Sequence, residues 1–166
     1  MENKAMEQLL KLLENNARLP VEDIAAMLDK SPAEIAAMMD LAKAQGLIKG
    51  YKTLVNWEKV GTDRVEAVIE LHVSPKKSHG FDEIAQIIAE FEEVESVLLM
   101  SGGYDLQLTI KGRTFQDIAL FVAKRLSTLD AVLSTATHFV LRTYKKEGRL
   151  YTAEEIDAMY TSGAIK

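Results

Sequence analysis

The stretch SGGYD, residues 101–105, has the residue types needed to bind a small zwitterion. Glycines leave backbone N–H groups accessible to a carboxylate, and the Asp105 carboxylate can accept hydrogen bonds from an ammonium group. Threonines on a later predicted strand could add hydroxyl groups. A tight turn without any ligand explains the same glycines, since glycine readily adopts positive φ. The candidate ligand-binding residues are Ser101, Gly102, Gly103, Tyr104, Asp105, Thr135 and Thr137.

A second stretch, residues 31–46, has the pattern of a helix that could contact DNA. Ser31 and Glu34 form a capping box that predicts the helix start, and an apolar stripe beginning at Ile35 must pack inward. The outward face carries alanines and Asp40, which offer few hydrogen bonds to base edges. Contacts would therefore depend mainly on DNA phosphates, through the helix N-terminus and nearby lysines. The candidate DNA-contacting residues are Lys30, Ser31, Ala33, Glu34, Ala37, Lys43, Lys49 and Lys52.

Other kinds of chemistry have weak support in the sequence. Cysteine is absent, which excludes disulfides, thiolate metal sites and cysteine nucleophiles. The three histidines, His72, His79 and His138, lack the helical spacing of a metal site. No serine lies in a nucleophile-elbow motif, and there is no glycine-rich phosphate loop. The sequence therefore predicts neither a metal site, a cofactor nor catalytic residues.

The composition is that of a globular protein, with 48% hydrophobic and 27% charged residues in a chain of 166. The longest apolar run, residues 118–123, is too short to span a membrane, and the N-terminus lacks a signal-peptide core. We therefore expect a soluble cytoplasmic protein with no membrane partner. Residues 1–60 carry eight basic and nine acidic residues, and 61–166 carry twelve and sixteen. Neither part is basic, which argues mildly against nucleic-acid binding.

The first sixty residues predict a helix-turn-helix. Apolar residues recur at helical spacing over 5–16 and 21–29, and the capped helix described above follows a tight turn. Residues 47–57 alternate β-branched and aromatic side chains, which predicts a strand or wing. The polar residues 58–63 predict a domain boundary, so that the first domain spans 1–60.

After residue 60 the hydrophobic pattern changes and predicts strands and helices in the order βαββαβ. This order predicts a ferredoxin-like α+β sandwich over 61–146, with its helices on one face. A further capping box, Thr152 with Glu155, predicts a helical tail within 147–166. The predicted strands are 64–73, 94–100, 105–110 and 131–144, and the predicted helices are 81–91 and 114–126.

This layout resembles the Lrp/AsnC, or "feast/famine", transcriptional regulators over roughly residues 4–146. LLKLLENNARLPVEDIAAML resembles the first two helices of the family, and LIKGYKTLVNWEKVG resembles its linker. SGGYDLQLTI resembles the glycine-x-aromatic-Asp hairpin of the family, and LSTATHFVL its final strand with paired threonines. The ordered series is more specific than any single motif.

The resemblance implies a ligand-responsive regulator that binds double-stranded DNA. It also implies a homodimer built through the second domain, often assembled into larger rings, with an amino acid or related metabolite bound between subunits near the hairpin. Family members usually carry Arg or Lys along the outward face of the helix that corresponds to residues 31–46, and on that face they are missing here.

Two other functions remain open at this point. Because the outward face of the helix at 31–46 is poor in cations, the chain could be an amino-acid-binding assembly module with weak or no DNA binding. Siroheme decarboxylases resemble the same two-part architecture. However, Arg64, Arg113 and Arg142 are scattered and form no recognisable catalytic constellation, so we expect no enzymatic activity.

Overall fold

The computed structural model describes residues 2–61, 64–74 and 80–151. Two compact units meet at a boundary between Val55 and Asn56. The predicted tail helix with its capping box at Thr152 lies outside the described residues. Of the helices that the structure describes, none combines the length and the apolar character needed to cross a bilayer.

The first unit contains three helices: α1 (Glu2–Asn15), α2 (Val21–Leu28) and α3 (Pro32–Ala44). Asp29, in the left-handed conformation with φ 52°, ends α2 and allows the tight turn into α3. The buried core of the unit is apolar throughout and confirms the stripes read from the sequence; it comprises Leu9, Leu13, Ile24, Ala25 and Ile35.

The strand predicted over residues 47–57 does not form. Residues 48–56 have no regular structure, and a single helical turn, α4 (Trp57–Val60), follows them. A β-strand needs a neighbouring strand to satisfy its backbone, and within the described ranges no strand pairs with this segment. The prediction of a strand or wing over these residues was therefore wrong.

The second unit confirms the βαββαβ order. Its sheet is antiparallel throughout, with the strand order β2-β3-β1-β4. Two helices connect the strands, and the second continues as a π-helical turn over Val122–Leu126. The elements are β1 (Val65–Val73), α5 (Asp82–Ala89), β2 (Val94–Leu99), β3 (Leu106–Gly112), α6 (Phe115–Phe121) and β4 (Val132–Phe139).

Alternation along the strands gives the sheet two different faces. Ala67, Ile69 and Leu71 on β1 are buried, and their cross-strand neighbours on β3 are buried with them. Helices α5 and α6 pack on this face and complete the core. The opposite face, which we call the open face, carries polar and charged side chains, including Glu70 and His138.

The last strand is shorter than predicted, and a small hairpin follows it. The Val140 N–H still donates to Glu66 O on β1 at 2.8 Å, residues 141–143 then leave the sheet, and β5 (Lys145–Lys146) pairs with β6 (Arg149–Leu150). The two residues of the turn, Glu147 and Gly148, both have positive φ, at 48° and 77°. Positive φ at both central positions is the requirement of a type I′ hairpin turn.

Candidate functional site

The N-terminal end of α3 is closed by its own side chains. Ser31 Oγ accepts a hydrogen bond from the Glu34 N–H at 3.3 Å, and Glu34 Oε2 accepts one from the Ser31 N–H at 2.8 Å. The Ser31 hydroxyl also donates to Glu34 Oε2. Pro32 has no N–H to offer. The predicted capping box is therefore confirmed, and it occupies donors that a DNA phosphate would otherwise use.

Glu34 is the acidic residue in the first turn of α3. Its hydrogen bonds from Ser31 and the nearby ammonium group of Lys30 hold the pKa of the Glu34 carboxyl below its usual value. Lys30 Nζ lies 3.6 Å from Glu34 Oε1. The carboxylate therefore offsets part of the positive charge that the helix dipole and Lys30 would present to a phosphate.

Apart from Asp40, the outward face of α3 carries small or apolar side chains. Ala33, Ala37 and Leu41 are exposed, whereas Ile35 and Ala42 are fully buried, as the helical periodicity predicts. Lys43 is exposed in the last turn, but its Nζ lies 3.5 Å from Asp40 Oδ1. The two lysines that flank the described face, Lys30 and Lys43, thus each lie beside an acid.

Two further candidate lysines lie after α3. Lys49 and Lys52 are exposed in the irregular segment that leads to the second unit. Lys49 Nζ lies beside Gly46, which ends α3 with φ 68°. A cation at this position complements the negative C-terminal end of the helix dipole. The structure therefore places the predicted DNA-contacting residues on α3 and its two flanks, in one unit of the molecule.

The predicted ligand hairpin is the connection between β2 and β3. Ser101, Gly102 and Gly103 are exposed there, and Gly102 has φ 146°. Tyr104 is half-buried and donates its hydroxyl to Gln107 Oε1 at 2.8 Å. The hairpin is therefore fixed at its β3 end and presents its glycine backbone at its tip.

Asp105 has a structural partner that sequence reasoning missed. Its Oδ2 accepts a hydrogen bond from the Val73 N–H at 2.9 Å, and its own N–H donates to Leu71 O at 2.9 Å. These bonds attach the hairpin to the end of β1. A carboxylate can accept several hydrogen bonds, so the contact with Val73 leaves room for an ammonium group as well.

The two predicted threonines lie on β4, on the other side of β1 from Asp105. Thr135 pairs with Leu71, and Thr137 pairs with Ile69, so both lie on the helix-covered face and are half-buried. Because adjacent strands are about 4.8 Å apart, Asp105 and Thr135 are separated by roughly 10 Å across the end of β1. The structure thus brings Thr135 to the hairpin end of the sheet, and Thr137 lies farther into it.

The described histidines belong to no cluster of metal-ligating side chains. His72 and His138 are exposed on the open face, where His138 Nε2 lies 3.6 Å from Glu70 Oε1. Across the described ranges, no group of three His, Asp or Glu side chains could hold a metal ion. His79 lies outside the described residues.

Comparisons with known proteins agree with this architecture. The model of the Lrp/AsnC ligand binding domain matches residues 66–150. An HTH-type transcriptional regulator of Bacillus subtilis, YugG, is 42% identical over 151 residues, covering 90% of this chain and 91% of that protein.

Solved structures of low sequence identity have the same fold. A transcriptional regulator of Neisseria meningitidis in complex with L-Met matches with a TM-score of 0.68 and 22% identity, covering 86% of this chain and 92% of that one. The leucine response regulatory protein of Mycobacterium tuberculosis matches with a TM-score of 0.72 and 18% identity, covering 89% and 98%. The match to the family model and the identity with the Bacillus regulator show that the chain belongs to the Lrp/AsnC family of HTH-type transcriptional regulators.

Proposed function

We propose that this protein is a transcriptional regulator that binds double-stranded DNA through α2 and α3 and responds to an amino acid or related metabolite. The observation that carries the proposal is the intact helix-turn-helix, with its capped α3 joined to an Lrp/AsnC ligand-binding domain. The Neisseria relative, solved with L-Met, supports an amino acid as the effector class.

The regulation would operate through linkage between two sites. A dimer built through the second unit pairs two copies of α3, and the distance between them must match the spacing of two DNA half-sites. An effector that binds one arrangement of subunits more tightly shifts the population toward it and thereby changes the affinity for DNA. Pairing also compensates for weak half-sites, because the second contact becomes intramolecular.

DNA binding is tested by titrating the protein with its own upstream DNA at low and moderate salt. We expect binding at low salt that weakens as salt rises, because the contacts are mainly to phosphates. Asp40→Asn releases Lys43 from its acid and removes a negative charge from the α3 face. It should tighten binding roughly threefold per half-site, by the Coulomb energy of one charge at the surface.

A matched control makes this test specific to α3. Glu92→Gln removes one negative charge from an exposed position in the second unit and should leave the affinity near that of the wild type. If the wild-type protein shows no binding even at low salt, the DNA-binding part of the proposal is wrong. An equal gain from both variants would contradict the role of α3.

The effector site is tested through Asp105. We expect at least one of the twenty amino acids to raise the melting temperature of the wild-type protein. Asp105→Asn keeps an oxygen for the Val73 N–H but loses the charge that would bind an ammonium group. It should therefore keep the ligand-free melting temperature and lose the ligand-induced rise.

Asp105→Ala provides the contrast, because it removes the bond to Val73 as well. It should lower the ligand-free stability by about 1–3 kcal/mol, the usual cost of deleting a hydrogen bond to a charged group. A full ligand-induced rise in Asp105→Asn would show that this carboxylate does not bind the effector. An unchanged melting temperature of the wild type with all amino acids would contradict amino-acid sensing.

A second function is favoured by one observation, the pairing of Lys30 and Lys43 with acids beside an apolar α3 face. On this alternative, the protein is an amino-acid-binding assembly module whose helix-turn-helix contacts protein. It predicts that amino acids raise the melting temperature whereas DNA does not, so the same two titrations separate the two functions.

A further inference from the structure

The most basic segment of the chain lies outside the helix-turn-helix. Residues 142–149, which we call the basic hairpin, contain four basic residues and a single acid within eight positions. Nowhere else in this acidic sequence do four basic residues fall within eight positions. The basic residues are Arg142, Lys145, Lys146 and Arg149.

Specific contacts hold the basic hairpin on the second unit. Lys146 Nζ lies 2.7 Å from Glu66 Oε1 and 2.8 Å from Oε2, so that this lysine joins β5 to β1. The Thr143 N–H lies 3.5 Å from Glu58 Oε1 on α4. The turn is closed by the Tyr151 N–H, which donates to Tyr144 O at 2.9 Å. The hairpin is thus a fixed ribbon and can present its cations in a defined arrangement.

Two of these cations project from the ribbon. Arg142 and Lys145 are exposed, and neither forms an ion pair with another residue that the structure describes. The Arg142 guanidinium lies 5.2 Å from the centroid of the Tyr144 ring, which is itself exposed. Stacking of this kind orients the guanidinium without neutralising it. An oriented guanidinium next to a lysine is well suited to binding phosphate oxygens.

The basic hairpin also contacts the start of the second unit. Glu58, which contacts Thr143, belongs to α4, and α4 begins two residues after the unit boundary at Val55. The hairpin therefore lies beside α4, the first helix of the second unit. In the first unit, two of the candidate DNA-contacting lysines, Lys30 and Lys43, lie beside acids.

We propose that the basic hairpin is a second contact surface for the backbone of the DNA duplex, with Arg142 and Lys145 binding phosphates. The inference rests on the proposed DNA binding and adds a contact outside the helix-turn-helix. Phosphate contacts carry little sequence information, so the hairpin supplies affinity and α3 supplies whatever base preference the protein has.

The test is the double variant Arg142→Gln/Lys145→Gln in the full chain, titrated with upstream DNA over a range of salt concentrations. Each neutralised phosphate contributes about 0.9 to the slope of log K against log salt, so the slope should become shallower by about 2 per bound protomer. Affinity at moderate salt should fall about tenfold. The ratio of affinities for upstream and scrambled DNA should stay constant, because the lost contacts are to the backbone.

The matched control is Arg113→Gln/Lys124→Gln, which removes the same charge from exposed positions of the same unit. It should leave the salt slope unchanged. An equal loss in both variants would mean that only net charge matters and would overturn the proposal. A change in the molecular mass of the hairpin variant, measured by light scattering, would make the hairpin a protein interface and would also overturn it.

The failure of the proposed function is distinguishable from the failure of this inference. If the wild-type protein does not bind DNA at low salt, both are wrong. If it binds and the hairpin variant binds with the same salt slope, only the inference about the hairpin is wrong.

Discussion

At the scale of single residues, the acidic side chains on α3 oppose the binding of DNA phosphates to this helix. Glu34 serves the fold, because it completes the capping box with Ser31 and draws Lys30 toward the helix end. The same carboxylate repels phosphate at the place where a helix N-terminus would attract it. Helix stability and the proposed DNA binding thus make opposite demands on this residue, and the sequence favours stability.

The lowered pKa of Glu34 gives this role a pH dependence. Because the pKa in the folded protein lies below its ordinary value of 4.5, the ionised carboxylate stabilises the fold above pH 4.5. That contribution is lost as the pH falls through the lowered pKa. Glu34→Gln should therefore lower the melting temperature at neutral pH, and the difference from the wild type should shrink as the carboxyl becomes protonated.

Thermal unfolding followed by circular dichroism between pH 7 and pH 3.5 measures this effect. Glu14→Gln, an exposed change near the end of α1, controls for the loss of one negative charge in the same unit. A difference between Glu34→Gln and the wild type that stays constant over this range would assign the effect to helix propensity and not to the ionised capping box.

At the scale of elements, the sequence predicted those whose signals are local. The capping box at Ser31 and the period of β1 were confirmed because each depends on near neighbours in the chain. The prediction of a strand over 47–57 was wrong. This segment has β propensity, but no described strand pairs with it. The bond from Asp105 to Val73 could not be predicted, since it joins residues thirty-two positions apart.

The hairpin of β5 and β6 was missed for a different reason. Its turn residues, Glu147 and Gly148, both adopt positive φ, and glutamate is a poor residue for that conformation. The usual signal for a type I′ turn is Asn-Gly or Asp-Gly. A sequence search for such dipeptides therefore passes over Glu-Gly, although the glycine is in its expected place.

This mismatch predicts opposite effects of two substitutions in the turn. Glu147→Asn should stabilise the hairpin by roughly 1 kcal/mol, because asparagine tolerates the left-handed conformation better. Gly148→Ala should destabilise it by about the same amount, because a Cβ is strained at φ 77°. Hydrogen-exchange protection of the Tyr151 amide, which donates to Tyr144 O, reports on both. Changes of the same sign in the two variants would contradict this account of the turn.

At the scale of the whole molecule, the two faces of the sheet differ in what packs against them. One face is covered by α5 and α6 and contains the core of the second unit. On the open face, Val68, Glu70 and Thr109 are half-buried at the centre of the sheet, and Ala136 and His138 are exposed on the edge strand β4. We propose that this open face is where two copies of the second unit meet, because sheets can pack face to face and a small residue such as Ala136 permits close approach.

Ala136 offers a test of this dimer. It lies opposite Glu70 on β1, so Ala136→Glu places two carboxylates side by side on the open face and adds bulk to it. Ala136→Lys adds similar bulk but pairs with Glu70, so it keeps the single chain stable. We expect the wild type to be a dimer or larger by light scattering, and both variants to dissociate while retaining their circular dichroism spectra. Ala123→Glu, at an exposed position of the π-helical turn, should keep the wild-type mass. If both Ala136 variants also keep that mass, the subunits meet elsewhere, and the pairing of α3 helices must be derived from a different surface.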